Sequence, residues 1–178
     1  GIEYQGERLV TSYTISQFLG ILVVGLLLSI VTLGIYLPWF IQRLYTFFIE
    51  GSSYKGTSYR FDGDGLTLFG ILTLLLVLPI IALSMISVAL FGIGSAEEGM
   101  LANIYQLIAL APLYTLLLKW MVSGSYNGYR ISLDVKLFNM MGFIFLHLLF
   151  TVLTLGIYFP LFYLNIYKYV MAHVACVN

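Results

Sequence analysis

Leu72-Thr73-Leu74-Leu75-Leu76-Val77-Leu78-Pro79-Ile80 lies inside a stretch of 32 residues, between Asp64 and Glu97, that holds no Asp, Glu, Lys or Arg. Roughly 20 apolar residues in a helix cross the hydrocarbon layer of a membrane. Lipid offers backbone groups no partner, so such a crossing is helical. The run does not alternate apolar with polar positions, which excludes a strand of a transmembrane β-barrel. Three further charge-free gaps hold 34 residues (Arg8 to Arg43), 20 (Glu98 to Lys119) and 31 (Lys136 to Lys168). Together they predict an all-α integral membrane protein. Positions 1–178 read as a single transmembrane domain, a bundle of four spans at about 15–36, 66–91, 101–121 and 135–158.

The composition agrees. Of 178 residues 61% are hydrophobic and 9% charged, and the mean hydropathy is +0.99. A soluble domain carries about 25% charged residues, so eight acids and eight bases cannot cover a soluble surface here. Disorder is excluded by the apolar content, and a disulfide scaffold by a single cysteine, Cys176. A net charge of zero provides no basic field for nucleic acid, so no nucleic-acid partner is expected. No cleavable signal peptide is visible, since the first apolar run is long and ends in bulky Tyr36, Pro38 and Trp39.

Six of the eight Lys and Arg fall in or beside positions 37–65 and 122–134; Arg8 and Lys168 are the other two. With four spans, the positive-inside rule puts those two loops in the cytoplasm and both termini outside.

The chain repeats itself. Thr32-Leu33-Gly34-Ile35-Tyr36-Leu37-Pro38 matches Thr154-Leu155-Gly156-Ile157-Tyr158-Phe159-Pro160 at an offset of 122. The match extends to Phe40 with Phe162, Tyr45 with Tyr167 and Gly20 with Gly142. In the loops, Ser53-Tyr54-Lys55-Gly56 parallels Ser125-Tyr126-Asn127-Gly128. Such an internal repeat points to a duplicated structural unit. At a span end the glycine is expected to let a helix approach closely, the tyrosine to sit at headgroup level, and the proline to bend the chain. Behind each proline an interfacial amphipathic helix is expected, at about 39–50 and 161–174.

Residues Thr32 to Trp39, then Arg43, Tyr45 and Gly56, then Phe61-Asp62-Gly63-Asp64-Gly65-Leu66-Thr67-Leu68-Phe69, resemble the bacterial inner-membrane family typified by YjgN. The second copy departs from that pattern, with Leu161 for the Trp and Asn165 for the Arg. The resemblance implies a multi-pass protein of the bacterial inner membrane and implies no reaction.

Chemistry-bearing positions are few. His147 is the one ionisable side chain deep in an apolar span, a functional candidate that can also serve as a quiet cross-helix hydrogen bond. The first copy has Gly25 in its place. Pro79 frees the carbonyl of Leu75, which something must satisfy. It marks either a static kink or a broken helix at a substrate site. The candidate functional or hinge residues are His147, Pro79, Pro38, Pro160, Gly34, Gly156, Arg43, Arg60 and Arg130. Asp62 and Asp64 are too few ligands for a calcium loop and read as a turn with a helix cap. No HExxH, GxSxG or metal-ligand cluster is present, so no catalytic residue, metal or cofactor is expected, and no enzyme. The leading expectation is a non-enzymatic subunit or scaffold of a membrane complex, or a homo-oligomer, with membrane lipids and partner helices as its contacts. The alternative is a small transporter or channel built on an inverted repeat.

Overall fold

The computed structural model of the chain describes residues 3–4, 7–8, 10–11, 14–54, 57–93 and 99–177. Positions 94–98, including Glu97 and Glu98, and the Lys55-Gly56 half of the first Ser-Tyr-x-Gly repeat lie outside the described residues. The chain groups into two compact units. One is Gly1–Phe69 with Trp120–Ser132 and Ala175–Asn178; the other is Gly70–Lys119 with Leu133–Val174.

In the first unit α1 (Ile15–Val31) opens on a capping box. The Thr14 hydroxyl accepts the Gln17 N–H, and the Gln17 side-chain oxygen accepts the Thr14 N–H at 3.1 Å, which uses two donors a helix start leaves orphaned. The helix ends at Val31 rather than the expected Tyr36. The Gly34 N–H donates to the Ser29 carbonyl at 2.7 Å and the Leu33 N–H to the Ile30 carbonyl at 3.0 Å, which is the Schellman arrangement. It places Leu33 at φ 51° and Gly34 at φ 89°. The chain then turns back into α2 (Leu37–Glu50).

The second unit repeats the corner between α5 (Leu137–Leu153) and α6 (Phe159–His173). Leu155 is at φ 49° and Gly156 at φ 88°, with the Gly156 N–H on the Thr151 carbonyl at 2.8 Å. In both corners the threonine hydroxyl works twice. Thr32 donates to the Leu28 carbonyl at 2.7 Å and accepts the Tyr36 N–H at 3.0 Å; Thr154 does the same with Phe150 and Tyr158, at 2.8 and 3.1 Å.

Two expectations about the motif are corrected by this geometry. Pro38 and Pro160 do not make the bend. Each is the second residue of the following helix, where its missing N–H belongs to the orphan set anyway. The glycines do not serve close approach either, because a Cβ at Gly34 or Gly156 would meet nothing within 4 Å. They are glycine because the backbone there is left-handed.

Short strands, which the sequence pattern did not predict, gather the helix ends. β1 (Glu3–Tyr4) pairs with β2 (Glu7–Arg8), and β3 (Val10–Thr11) with β4 (Ser52–Tyr54), Val10 opposite Ser53. β4 also pairs with β5 (Thr57–Ser58). β6 (Arg60–Phe61), β7 (Gly124–Tyr126), β8 (Tyr129–Leu133) and β9 (Val174–Val177) form one sheet in that order. The fold is thus mostly helical with small sheets rather than all-α. The consequence is topological. The strand entering α1 pairs with the strand leaving α2, and the strand preceding α5 with the strand following α6. The expected placement of both termini on the face opposite 37–65 and 122–134 is corrected: both lie beside those segments, and α1–α2 and α5–α6 are closed hairpins.

Among the described residues, two helices are long and apolar enough to cross a membrane: α3 (Gly65–Phe91) and α4 (Met100–Val122). They match the second and third expected spans. α1 and α5 are 17 residues each, about 25 Å at 1.5 Å per residue, short of a hydrocarbon layer of about 30 Å. α3 carries a π-turn over Thr73–Val77 just before Pro79. The Leu75 carbonyl that Pro79 frees is taken by the Tyr105 hydroxyl of α4, which donates to it at 2.9 Å.

Two outcomes follow for thermal unfolding in mild detergent. Gly34→Ala and Gly156→Ala each lower the melting temperature, because a Cβ in the left-handed region costs about 1 kcal/mol. Gly20→Ala and Gly142→Ala, inside α1 and α5, leave it unchanged or raise it, since helical glycine is worth about 0.5–1 kcal/mol less than alanine. Equal melting temperatures across all four would refute the left-handed account. Tyr105→Phe leaves the Leu75 carbonyl unpaired and destabilises by about 1 kcal/mol; a Tyr105→Phe protein as stable as the parent would show that the hydroxyl bond carries nothing.

Candidate functional site

In the first unit the two halves of the sequence motif meet. Gly65 opens α3 against α2: a Cβ there would collide with the Trp39 ring at 2.6 Å and the Gln42 side-chain oxygen at 2.9 Å. That oxygen accepts the Gly65 N–H at 2.8 Å. Gly63 leaves room for the Phe61 ring, and Trp39 lies 5.5 Å from Phe69, centroid to centroid. Trp120 donates its indole N–H to the Asp64 carbonyl at 2.9 Å. Its ring, with Phe61 and Tyr45, makes a cluster at 5.0 to 5.6 Å. Asp64 caps α3, accepting the Thr67 N–H at 2.6 Å and the Thr67 hydroxyl at 2.8 Å. Those two bonds, the backbone one first, hold its carboxyl below the usual value. Tyr59 donates to the Val122 carbonyl at 3.4 Å; burial, then the Asp62 charge, raises its phenol. The expected turn and cap at Asp62–Gly65 are therefore present, with Trp39 and Gln42 as the packing partners that spacing alone did not reveal.

Arg43 stands apart from that junction. Its guanidinium carbon lies 6.0 Å from the centre of the Tyr36 ring, within reach of a cation–π contact. Both border a cleft of 670 Å³ between α1 and α2, lined also by Ile21, Trp39, Gln42, Thr46 and Phe47. Arg60 and Arg130 are brought together elsewhere: the sheet register sets Arg60 opposite Ser125, and Ser125 opposite Arg130. Residues directly opposite share a face, so a cationic row crosses three strands. Both arginines are exposed, and Arg60 Nε lies 3.8 Å from an Asp62 oxygen.

In the second unit His147 is buried on α5. Its Nδ1 is 2.9 Å from the Phe143 carbonyl, and its Nε2 is 3.3 Å from the Asn165 side-chain nitrogen. A carbonyl only accepts, so the geometry assigns the proton to Nδ1 and leaves Nε2 to accept from Asn165. Asn165 also donates to the Tyr158 hydroxyl at 3.2 Å. Nδ1 bonds within α5 and Nε2 ties α5 to α6, so both ring nitrogens are occupied. The first copy solves the same corner differently. Gly25 holds the place of His147, the Phe40 ring fills the space a Cβ would need there, and Arg43 stands where Asn165 does.

The nine candidate positions therefore do not form one site. Pro38, Gly34 and Arg43 belong to the first corner, Pro160, Gly156 and His147 to the second, Arg60 and Arg130 to the sheet, and Pro79 to α3. No group of three or more metal-ligating side chains occurs among the described residues. Three residues escaped the sequence reading: Tyr105, Asn103 and Gln106, all on α4. The last two are exposed, and their spacing of three on an apolar helix was the available signal.

A profile described as a bacterial protein of unknown function (DUF898) matches residues 8–176. No curated protein and no solved structure matches the chain. With nearly its whole length covered, the chain belongs to this bacterial family of unknown function, the YjgN-like family its motifs resemble.

Proposed function

We propose that the protein is a multi-pass component of the bacterial inner membrane and works as a non-enzymatic structural subunit that assembles with copies of itself. One observation carries this reading. Asn103 and Gln106 lie exposed on α4, a helix apolar enough to span, with no hydrogen-bond partner for either side-chain amide among the described residues. Leu107, Leu110 and Leu113 continue the same stripe at i, i+3, i+4 and i+7 spacing. Together with Leu76 of α3 they line a cleft of 460 Å³. An amide facing lipid is costly, and an amide pair across two helices recovers about 0.6–2 kcal/mol. An amide both donates and accepts, so the stripe is complementary to itself, as an interface between identical subunits requires.

The transporter alternative drew on an inverted repeat. Closed hairpins that leave from and return to the strands give it less support, and Arg60 and Arg130 stand on open strands rather than along a path. The same strands suggest the orientation. If α3 and α4 cross the membrane and every other segment returns to the strand side, all eight Lys and Arg lie on one side. The positive-inside rule makes that side the cytoplasm.

Two measurements check this reading. In intact cells, native Cys176 and cysteines placed at Ser53 and Ser125 in a Cys176→Ser background stay unlabelled by a membrane-impermeant thiol reagent, whereas one at Ser95 is labelled. Labelling of Cys176 would restore the opposite terminus and refute the orientation. For assembly, Asn103→Cys in the same background forms a disulfide-linked dimer in membranes under mild oxidation, while Ile108→Cys, exposed on the far side of α4, does not. Equal cross-linking at both positions would discard the amide stripe as the interface.

A further inference from the structure

Resting on the membrane reading above, we infer that the two Thr-Leu-Gly-Ile-Tyr-x-Pro corners end inside the hydrocarbon layer, as the tips of re-entrant hairpins in contact with lipid acyl chains. On this view only α3 and α4 cross the membrane.

Backbone in hydrocarbon is tolerated only where its polar groups are satisfied within the protein. The first corner meets that demand for its donors. Every N–H from Thr32 to Phe40 is hydrogen-bonded within the motif, and Pro38 has none to satisfy. An ordinary connection leaves such groups to water. Here the Schellman bonds, the Thr32 hydroxyl and the carbonyls of Thr32, Gly34 and Tyr36 take them all. The second corner repeats the pattern for each N–H from Thr154 to Phe159 and for Phe162.

What the corners present outward is as apolar as a tip in lipid requires. Leu33 is 93% exposed and Leu155 94%, with Ile35 and Ile157 beside them at 62% and 84%. No charged residue occurs from Thr32 to Gln42 or from Thr154 to Tyr167. Both leucines occupy left-handed backbone, a position where glycine or asparagine costs less. A corner facing water has no use for a strained, fully exposed leucine; a corner in acyl chains does.

The first charge on each returning helix marks the depth. Arg43 lies six residues into α2 and Lys168 nine residues into α6, about 9 and 14 Å of helix from the corners. With those charges at headgroup level, both tips stop near the middle of a layer about 30 Å thick. Carrying the corners through to the far side would instead put Arg43 in the hydrocarbon, where a charged side chain is costly.

The test uses the full-length protein in lipid nanodiscs, with a nitroxide on a single cysteine at Leu33 or Leu155 in a Cys176→Ser background. Labels at Leu74 on α3 and at Ser125 on β7 serve as the lipid and water references. Relaxation is read against oxygen, which concentrates in acyl chains, and against a water-soluble nickel chelate. The expected result is oxygen access at Leu33 and Leu155 like that at Leu74, and loss of nickel access relative to Ser125. Nickel access at the corners equal to that at Ser125, with Leu74 still shielded, would overturn the inference while leaving the membrane reading standing. Shielding from both agents would also overturn it, since another protein surface rather than lipid would then cover the tips. Nickel access at Leu74 itself would remove the membrane reading and the inference together. Arg43→Leu supplies a second readout: with the charge gone the Leu33 label moves deeper, and an unchanged depth would reject Arg43 as the gauge.

Discussion

A helix that ends in apolar surroundings must dispose of its last carbonyls and of the donors that follow without water. The rest of this structure depends on how the chain meets that constraint. At Leu33-Gly34 and at Leu155-Gly156 the backbone enters the left-handed region, and the following N–H groups fold back onto the carbonyls of the helix just ended. The threonine before each pair adds a hydroxyl that bonds the helix behind it and the turn ahead. The turn is complete without a charged side chain, which lets the helices on both sides remain apolar. Since the corner reverses the chain, it also brings the second helix back along the first and commits each repeat to a hairpin.

A hairpin has two free ends, and the short strands hold them. β3 with β4, β6 with β7, and β8 with β9 each join the entry and exit of one helical pair. Strands of two to five residues are marginal on their own. In the first unit they are reinforced by the contact of Trp39 and Gln42 with Gly65 and by the ring cluster of Tyr45, Phe61 and Trp120. That contact gives the glycines of Phe61-x-Gly63-x-Gly65 their role: one gives way to the Phe61 ring and the other to Trp39.

The two copies keep the corner and change what stands behind it. In the first, Gly25 makes space for Phe40, and Arg43 lies by Tyr36 next to an open cleft. In the second, His147, Asn165 and Tyr158 form a chain of hydrogen bonds, with Phe162 buried beside it. A side chain as large as histidine fits only because Phe162, 6.3 Å from His147 between centroids, does not occupy the space that Phe40 takes. The two copies share the backbone solution and differ in the side chains around it, with a cation at Arg43 in the first and an amide at Asn165 in the second.

The charge-free gaps by themselves determined that the chain is helical and apolar, and α3 and α4 fall where the gaps place them. A run of twenty or more apolar residues has one stable answer in lipid, because no other backbone satisfies itself. The repeat was equally plain in the sequence, as was the need for a partner at the Leu75 carbonyl, since proline removes a donor at a known offset. The partner itself, Tyr105, was not legible, because it comes from 30 positions away on another helix. Nor was the reason for Gly34 and Gly156: close packing and left-handed backbone both select glycine, and only the dihedral angles separate them. That the strand before α1 lies against the strand after α2, and the strand before α5 against the strand after α6, was decided by the tertiary structure alone. Strands of two to five residues carry little periodic signal, yet their pairing sets the ends of α1–α2 and of α5–α6 side by side, because register between distant segments is a property of the folded chain and not of any one stretch of it.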